Sequence, residues 1–266
     1  MAVRGDLVVS GSTDSTVKLW RLRARECVAT LMENSARVSC VDVGEEAIAT
    51  GSDDATVRLW PRDGGASRRT LAHPSPLCAV RMQGDVLATG GLDAVVRVFA
   101  LSTGLLVREL RGHKGSVQSL ALGGSVLVSG GGGSNETDET GGGSNETDTT
   151  IKVWPLLEDV DASECATLDT HPSHVRSVAI SPSGGIIASV TNGEGAKLFV
   201  WRPADTEIGE IEEGGTACMI SARAILPMGG ECSGEGGQPG IGFLYRNRSK
   251  VDVCRVETGP RSCDEV

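Results

Sequence analysis

Aromatic side chains are scarce in this chain, with four Trp, one Tyr and three Phe among 266 residues. A core of that composition rests on aliphatic packing, and the 36 glycines suit tight turns and short strands better than long helices. Long apolar runs are missing too. None approaches the roughly 18 residues a spanning helix needs, and the opening MAVRGDLVVS lacks the basic start and apolar stretch of a secretory signal. The expectation is a soluble cytoplasmic or nuclear chain with no membrane partner. No C-x-x-C occurs among the eight cysteines, at 27, 40, 78, 165, 218, 232, 254 and 263. A chain this long is no small stapled scaffold, so structural, reduced thiols are expected, with no metal and no cofactor. On the same grounds the sequons at Asn135, Asn145 and Asn247 are expected to stay unmodified. A concentrated basic patch is also absent. The net charge is −10; residues 1–130 hold 15 Lys/Arg against 13 Asp/Glu, and residues 131–266 hold 10 against 22. Counterion release needs the opposite pattern, so nucleic acid is not expected as a partner.

What the chain has is a repeat. LVVSGSTDSTVKLW (Leu7–Trp20) returns as AIATGSDDATVRLW (Ala47–Trp60) and as VLATGGLDAVVRVF (Val86–Phe99), with the closing aromatics 40 and 39 residues apart. Each unit alternates apolar and polar residues, turns at an Asp, and alternates again, which predicts a β-hairpin with Val17 and Leu19 on one face and Thr16, Lys18 and Trp20 on the other. Strand-like runs precede the hairpins (RVSCV, PLCAV, SVQSLAL, HVRSVAI) and follow them (ECVAT, SRRTL, LLVREL, CATL). Four short strands about every forty residues, with no helical period, describe the blade of an all-β propeller of four-stranded antiparallel sheets. One blade cannot bury both faces, so neighbours must stack around a shared axis.

This register places the phrase GGGSNETDETGGGSNETDTT, Gly131–Thr150, one decamer written twice. Ser10 and Asp14 are four residues apart, as are Thr50 and Asp54, and Thr89 and Asp93; the fourth pair, Ser129 and Asp148, is nineteen apart. Residues 131–150 are therefore a duplicated, Gly-rich acidic loop inserted at the hairpin corner of the fourth blade. A phosphate loop needs Gly-Lys-Ser/Thr leading into a helix, and the next lysine is Lys152. The ligand order of a calcium loop is not met either. A solvated corner costs little, since two doublings of loop length add roughly 1.2 kcal/mol. An acidic recruitment loop remains open beside it.

A histidine recurs four residues before the next unit's first apolar strand residue: His73, His113 and His171, with Asn34 in the same slot. Ser/Thr, His and Asp in one unit invite a catalytic reading. Nucleophilic catalysis, however, needs an exposed hydroxyl beside an oxyanion site. Groups that recur once per unit and end on Trp, a donor only, fit a structural role better. Cys40 aligns with Ala79, Ser119 and Ser177, small residues, and is expected to be a packing residue.

The stretches SGSTDSTVKLW, TGSDDATVRLW, LRGHKGSVQSLAL and DTTIKVW resemble the WD-repeat β-propeller family over about residues 5–201, with a weaker likeness over 202–256. The short connections VGEEAIAT and MQGDVLAT are similar to those of F-box substrate-receptor propellers. The resemblance implies a buried relay in which Trp donates to Ser/Thr, that hydroxyl to His, and His to Asp. His113, Ser129, Asp148 and Trp154 form the complete set. Partial sets are Ser10, Asp14 and Trp20; Thr50, Asp54 and Trp60; His73, Thr89 and Asp93, ending on Phe99; and His171, Ser189 and Trp201, with Gly195 at the Asp position. By the same analogy a partner-binding rim comprises Thr13, Asp53, Leu92 and Thr147 before the corner Asp, and Arg37, Ser116 and an exposed His174 leading into the first strand.

About six blades can be read in a single domain of residues 1–256, with 202–256 a divergent repeat and 257–266 a tail. The first unit is expected to lack its leading strand and the last, IGFLYRNRSKVDVCRV, its trailing one. This pattern suggests a piece of a longer, seven-bladed ring; the alternative is a five-bladed ring in which Ala217–Leu226 completes the first unit. The expected function is a non-catalytic protein–protein interaction scaffold or adaptor. The alternatives are a substrate-recognition propeller of a ubiquitin ligase, reading an acidic or phosphorylated motif through arginines, and a propeller hydrolase, for which no isolated carboxylate or His cluster is found.

Overall fold

The computed structural model describes residues 1–133, 148–156, 165–168, 171, 173–181 and 187–191 with their side chains, and five strands between 198 and 256 by backbone alone. The first sheet comprises β1 (Ala2–Arg4), β2 (Leu7–Gly11), β3 (Val17–Arg21) and β4 (Glu26–Leu31). The second comprises β5 (Val38–Val43), β6 (Ala47–Ser52), β7 (Thr56–Pro61) and β8 (Arg69–Ala72). The third comprises β9 (Leu77–Gln83), β10 (Val86–Gly91), β11 (Val96–Ala100) and β12 (Leu106–Leu110). The fourth comprises β13 (Val117–Gly123), β14 (Val126–Gly131), β15 (Ile151–Pro155) and β16 (Ala166–Leu168). The fifth comprises β17 (Val175–Ile180), β18 (Ile187–Thr191), β19 (Leu198–Arg202) and β20 (Asp205–Glu210), and the last β21 (Ala224–Pro227), β22 (Ile241–Asn247) and β23 (Lys250–Val256). Every sheet is an antiparallel meander in chain order. The leading strands β1, β5, β9, β13, β17 and β21 pack on one another in that order.

Two expectations about the ends are corrected. The first sheet does have a leading strand: Ala2, Val3 and Arg4 pair with Val9, Val8 and Leu7. Six residues suffice because Gly5, at φ 60, closes a two-residue turn that only a residue tolerant of positive φ makes cheaply. In the five-bladed alternative Ala217–Leu226 would complete the first sheet, whereas β21 pairs with β22 in the last. That last sheet has three strands among the described residues. Ser134–Thr147 of the duplicated insert, Gly195 and the tail at 257–266 lie outside the described residues, as does the side chain of Trp201.

The hydrophobic clusters run between sheets rather than within them. Leu7, Val9, Val17 and Leu19 of the first sheet enclose Trp60 of the second. Ala49, Val57 and Leu59 of the second enclose Phe99 of the third, and Ala88, Val96 and Val98 of the third enclose Trp154 of the fourth. In the first four sheets a glycine near the end of the second strand makes the approach close enough. A methyl on Gly11 would stand 2.5 Å from Val38 Cγ1, one on Gly90 2.5 Å from Val117 Cγ1, and one on Gly130 2.6 Å from Val175 Cγ1. Each of those valines begins the leading strand of the next sheet. Polar stitches join the same strands: the amide N–H of Met82 donates to Asp42 (2.7 Å), Ser39 Oγ to the Leu77 carbonyl (2.5 Å), and the Val178 N–H to Ser119 Oγ (3.0 Å).

Trp60 and Trp154 are 0% and 1% exposed, whereas Trp20, in the first sheet, is 37% exposed. Equivalent sequence positions therefore carry unequal packing. Trp60→Ala is expected to cost about 3–5 kcal/mol and Trp20→Ala under about 2 kcal/mol, read as the difference in urea midpoints at unchanged slope; equal losses would contradict the interlocking.

Candidate functional site

In the fourth sheet the chain of hydrogen bonds is continuous. Trp154 Nε1 donates to Ser129 Oγ at 2.8 Å, Ser129 Oγ lies 2.7 Å from His113 Nε2, and His113 Nδ1 lies 2.7 Å from Asp148 Oδ2. Because a carboxylate accepts only, Nδ1 carries the proton in the neutral ring, and Nε2 accepts from the serine. Asp148 also accepts from the N–H of Lys114 (2.9 Å) and from the N–H and hydroxyl of Thr150 (2.9 and 2.7 Å). Burial alone would raise its pKa; the bonds from His113 and Thr150 outweigh burial and hold the carboxyl far below the usual range.

The other sheets depart from this pattern. In the third, His73 Nε2 lies 3.0 Å from Thr89 Oγ1, but its Nδ1 turns to the Leu71 carbonyl at 3.2 Å instead of Asp93. The expected His73–Asp93 link is thus not made, because Arg97 takes the aspartate at 2.7 Å and also pairs with Glu109 at 3.1 Å. Phe99, which has no donor, lies against the His73 ring, centroids 5.4 Å apart. In the second sheet Trp60 Nε1 donates to Thr50 Oγ1 at 2.9 Å, and Arg58 donates to both Asn34 Oδ1 (3.0 Å) and Asp54 Oδ2 (2.9 Å). Asp54 is held far below its usual pKa, burial again being overcome by bonds from Thr56, Ser35 and Arg58. In the first, Trp20 Nε1 reaches Ser10 Oγ at 3.0 Å, while Asp14 turns to the N–H and hydroxyl of Thr16. In the fifth, His171 Nε2 lies 2.7 Å from Ser189 Oγ, and burial pushes the ring's pKa down to about 4. Arg58 and Arg97 escape notice in the sequence, although a basic residue stands two before each closing aromatic: Lys18, Arg58, Arg97 and Lys152.

The corner conformation explains the Asp. Ser15, Ala55 and Ala94 follow the corner aspartates with φ of 66, 58 and 61. This region disfavours residues with a Cβ, and carboxylate bonds to the residue beyond hold the turn: Thr16 N–H at 2.9 Å, Thr56 N–H at 3.0 Å.

Of the expected rim, Thr13, Arg37, Asp53 and Leu92 are exposed, and Arg37, Asp53 and Leu92 line one cavity. Ser116 is not on the rim. It is 1% exposed, its hydroxyl donating to the Gly132 carbonyl at 3.2 Å while accepting from Gln118 Nε2 at 2.8 Å. His174 is half-buried rather than exposed, and Thr147 lies outside the described residues. Cys40 is half-buried, its sulfur filling the space a methyl on Gly51 would need; burial, above all, pushes the thiol up to about 12. Among the described residues no group of three or more His, Cys, Asp or Glu is placed to hold a metal ion.

The family described as "WD domain, G-beta repeat" matches residues 2–21, 25–61 and 162–202. The chain carries WD repeats. The Caenorhabditis elegans "Periodic tryptophan protein 2 homolog" is 28% identical over 216 residues, which is 78% of this WD-repeat chain and 21% of that protein. The human "F-box and WD repeat domain containing protein 10B" is 30% identical over 125 residues, 47% of this chain and 17% of that one. The chain thus spans about a fifth of these relatives. Among solved structures, a chain of the "Crystal Structure of Mitotic Checkpoint Complex" superposes with a TM-score of 0.64 at 21% identity, covering 79% of this chain and 63% of that one, a likeness of fold.

Asp148→Asn is expected to cost about 3 kcal/mol, because it leaves buried donors facing a half-donor group. Asp93→Asn is expected to cost about 1 kcal/mol, since Arg97 keeps Glu109. The order is read from chemical denaturation, and equal costs would refute the difference. The pH dependence has two stages. His73 and His171 have pKa values depressed by burial, so their stabilisation is complete above about 6.5 and is lost as pH falls toward about 4. Asp54 and Asp148 are also depressed, so theirs is complete above about 4 and lost below. A melting-temperature series from pH 8 to 3 checks this: His171→Gln is expected to shrink the upper stage to the part His73 contributes and to leave the lower one.

Proposed function

We propose that this WD-repeat chain is a non-catalytic interaction scaffold that docks other proteins on the rim where the hairpin corners meet the leading strands. The supporting observation is the state of the groups a hydrolase would use. Ser129 and His113 are buried, the serine is engaged by Trp154 on one side and His113 on the other, and Asp148 is saturated by backbone and hydroxyl donors. A hydroxyl so enclosed meets no substrate, and the relay serves the corner's geometry. The exposed chemistry lies instead at Thr13, Arg37, Asp53 and Leu92, around a fold whose relatives are named for their WD repeats. The site of action in this reading is the cytoplasm or nucleus.

The test compares proteins co-purified with the full chain and with an Arg37→Glu, Asp53→Lys, Leu92→Asp triple variant, after near-ultraviolet circular dichroism has shown both folded. A partner held by the wild type is expected to be lost from this variant and kept by an Arg62→Glu control, which alters the opposite end of the sheets, where Arg62 bonds the Glu45 carbonyl. Partners equally retained by all three would remove the rim from the reading.

A further inference from the structure

The leading strands β5, β9, β13 and β17 face a cavity of about 710 Å3 whose wall carries Arg37, Arg81, Arg176 and Gln118. We propose that this cavity binds a small, multiply charged phosphate compound, with the three guanidinium groups as its anchors.

The arginines come from three different sheets and three depths. Arg37 precedes β5; Arg176 sits in β17 at the register position that Ser39, Cys78 and Gln118 hold in their strands; Arg81 lies deeper, level with Asp42. At roughly 3.3 Å per strand residue they span about 15 Å of wall, too much for one phosphate group and suited to several. The volume falls within the range of small-molecule sites, about 300–1,000 Å3.

Their existing partners leave them available. Arg37 Nε is 3.7 Å from Asp53, and Arg81 Nη1 is 3.9 Å from Asp42, distances beyond a hydrogen bond. Arg81 Nη1 donates a 3.3 Å bond to the Val80 carbonyl, which leaves its other guanidinium N–H groups for a ligand. Asp42 is already committed through its other oxygen to the Met82 N–H at 2.7 Å. Arg176 is exposed and forms no ion pair among the described residues. The thiols in the wall do not supply negative charge, since burial pushes Cys40 up to about 12 and Cys78 upward as well. In a chain of net charge −10 the cavity therefore gathers three cations against two loosely engaged carboxylates. Guanidinium forks bind phosphate oxygens bidentately and desolvate easily.

The probe is inorganic tripolyphosphate, titrated calorimetrically into the full chain at about 0.05 M and about 0.2 M salt, the range over which phosphate contacts weaken. Saturable one-to-one binding is expected, weakened roughly tenfold by Arg176→Gln and by Arg81→Gln and unchanged by Arg62→Gln at the outer turn. Arg176 is exposed, so its variant decides the matter even if Arg81→Gln fails to fold. A second arm asks for displacement by inositol hexakisphosphate or by a doubly phosphorylated peptide. Displacement by the compact polyphosphate supports the proposal; displacement by the peptide alone would give the site to a protein ligand and overturn it. Absence of saturation at millimolar probe, or equal affinity in Arg176→Gln, would also overturn it.

Discussion

A four-stranded sheet of this kind has two apolar faces and, among the described residues, no helix to cover either, so each sheet is stable only against its neighbours. The dipeptides Ser10-Gly11, Thr50-Gly51, Thr89-Gly90 and Ser129-Gly130 carry both halves of the solution. The glycine lets the next leading strand press against backbone, at Val38, Leu77, Val117 and Val175. The hydroxyl before it takes the indole N–H in the sheets that close with Trp20, Trp60 and Trp154, so Trp60 and Trp154 are buried without an orphaned donor. Apolar contact and polar satisfaction are thus solved in two consecutive residues, once per repeat.

Behind that shared hydroxyl the sheets diverge. The fourth uses His113 and Asp148, the second uses Asn34, Arg58 and Asp54, and the third splits the set, with His73 on a carbonyl and Asp93 on Arg97. All of these hold the corner aspartate, and in the second and third sheets the residue after it, Ala55 or Ala94, is at positive φ. The tolerance to exchange is understandable: what burial demands is that each donor find an acceptor, and several side chains of similar reach meet that demand. A catalytic set would be far less forgiving, since its members must keep one geometry toward a reacting atom.

Much of this is legible in the amino-acid sequence. The alternation in VVSGSTDSTVKLW locates β2 and β3, and the forty-residue spacing locates their successors. Four features are not legible, each for a physical reason. β1 has three residues, too few to show a period, and it forms because Gly5 turns the chain back onto β2. The capture of Asp93 by Arg97 is decided by side-chain reach along one strand, which a slot-by-slot alignment of repeats cannot see. Ser116 looks like a surface residue by position but is buried by the bulge between Val117 and Ser119 and by the approach of Gly132. The cavity arginines are hidden for another reason. They occupy different positions in their repeats, so only the side-by-side arrangement of leading strands brings Arg37, Arg81 and Arg176 to one wall.

The glycine contact also sets a limit on the array. In the fifth sheet the residue after Ser189 is Val190, buried, where its predecessors have Gly11, Gly51, Gly90 and Gly130. A branched side chain there keeps a following strand from lying against bare backbone as Val38, Val117 and Val175 do. The joint between β17 and β21 therefore forgoes the glycine contact that the four earlier joints share.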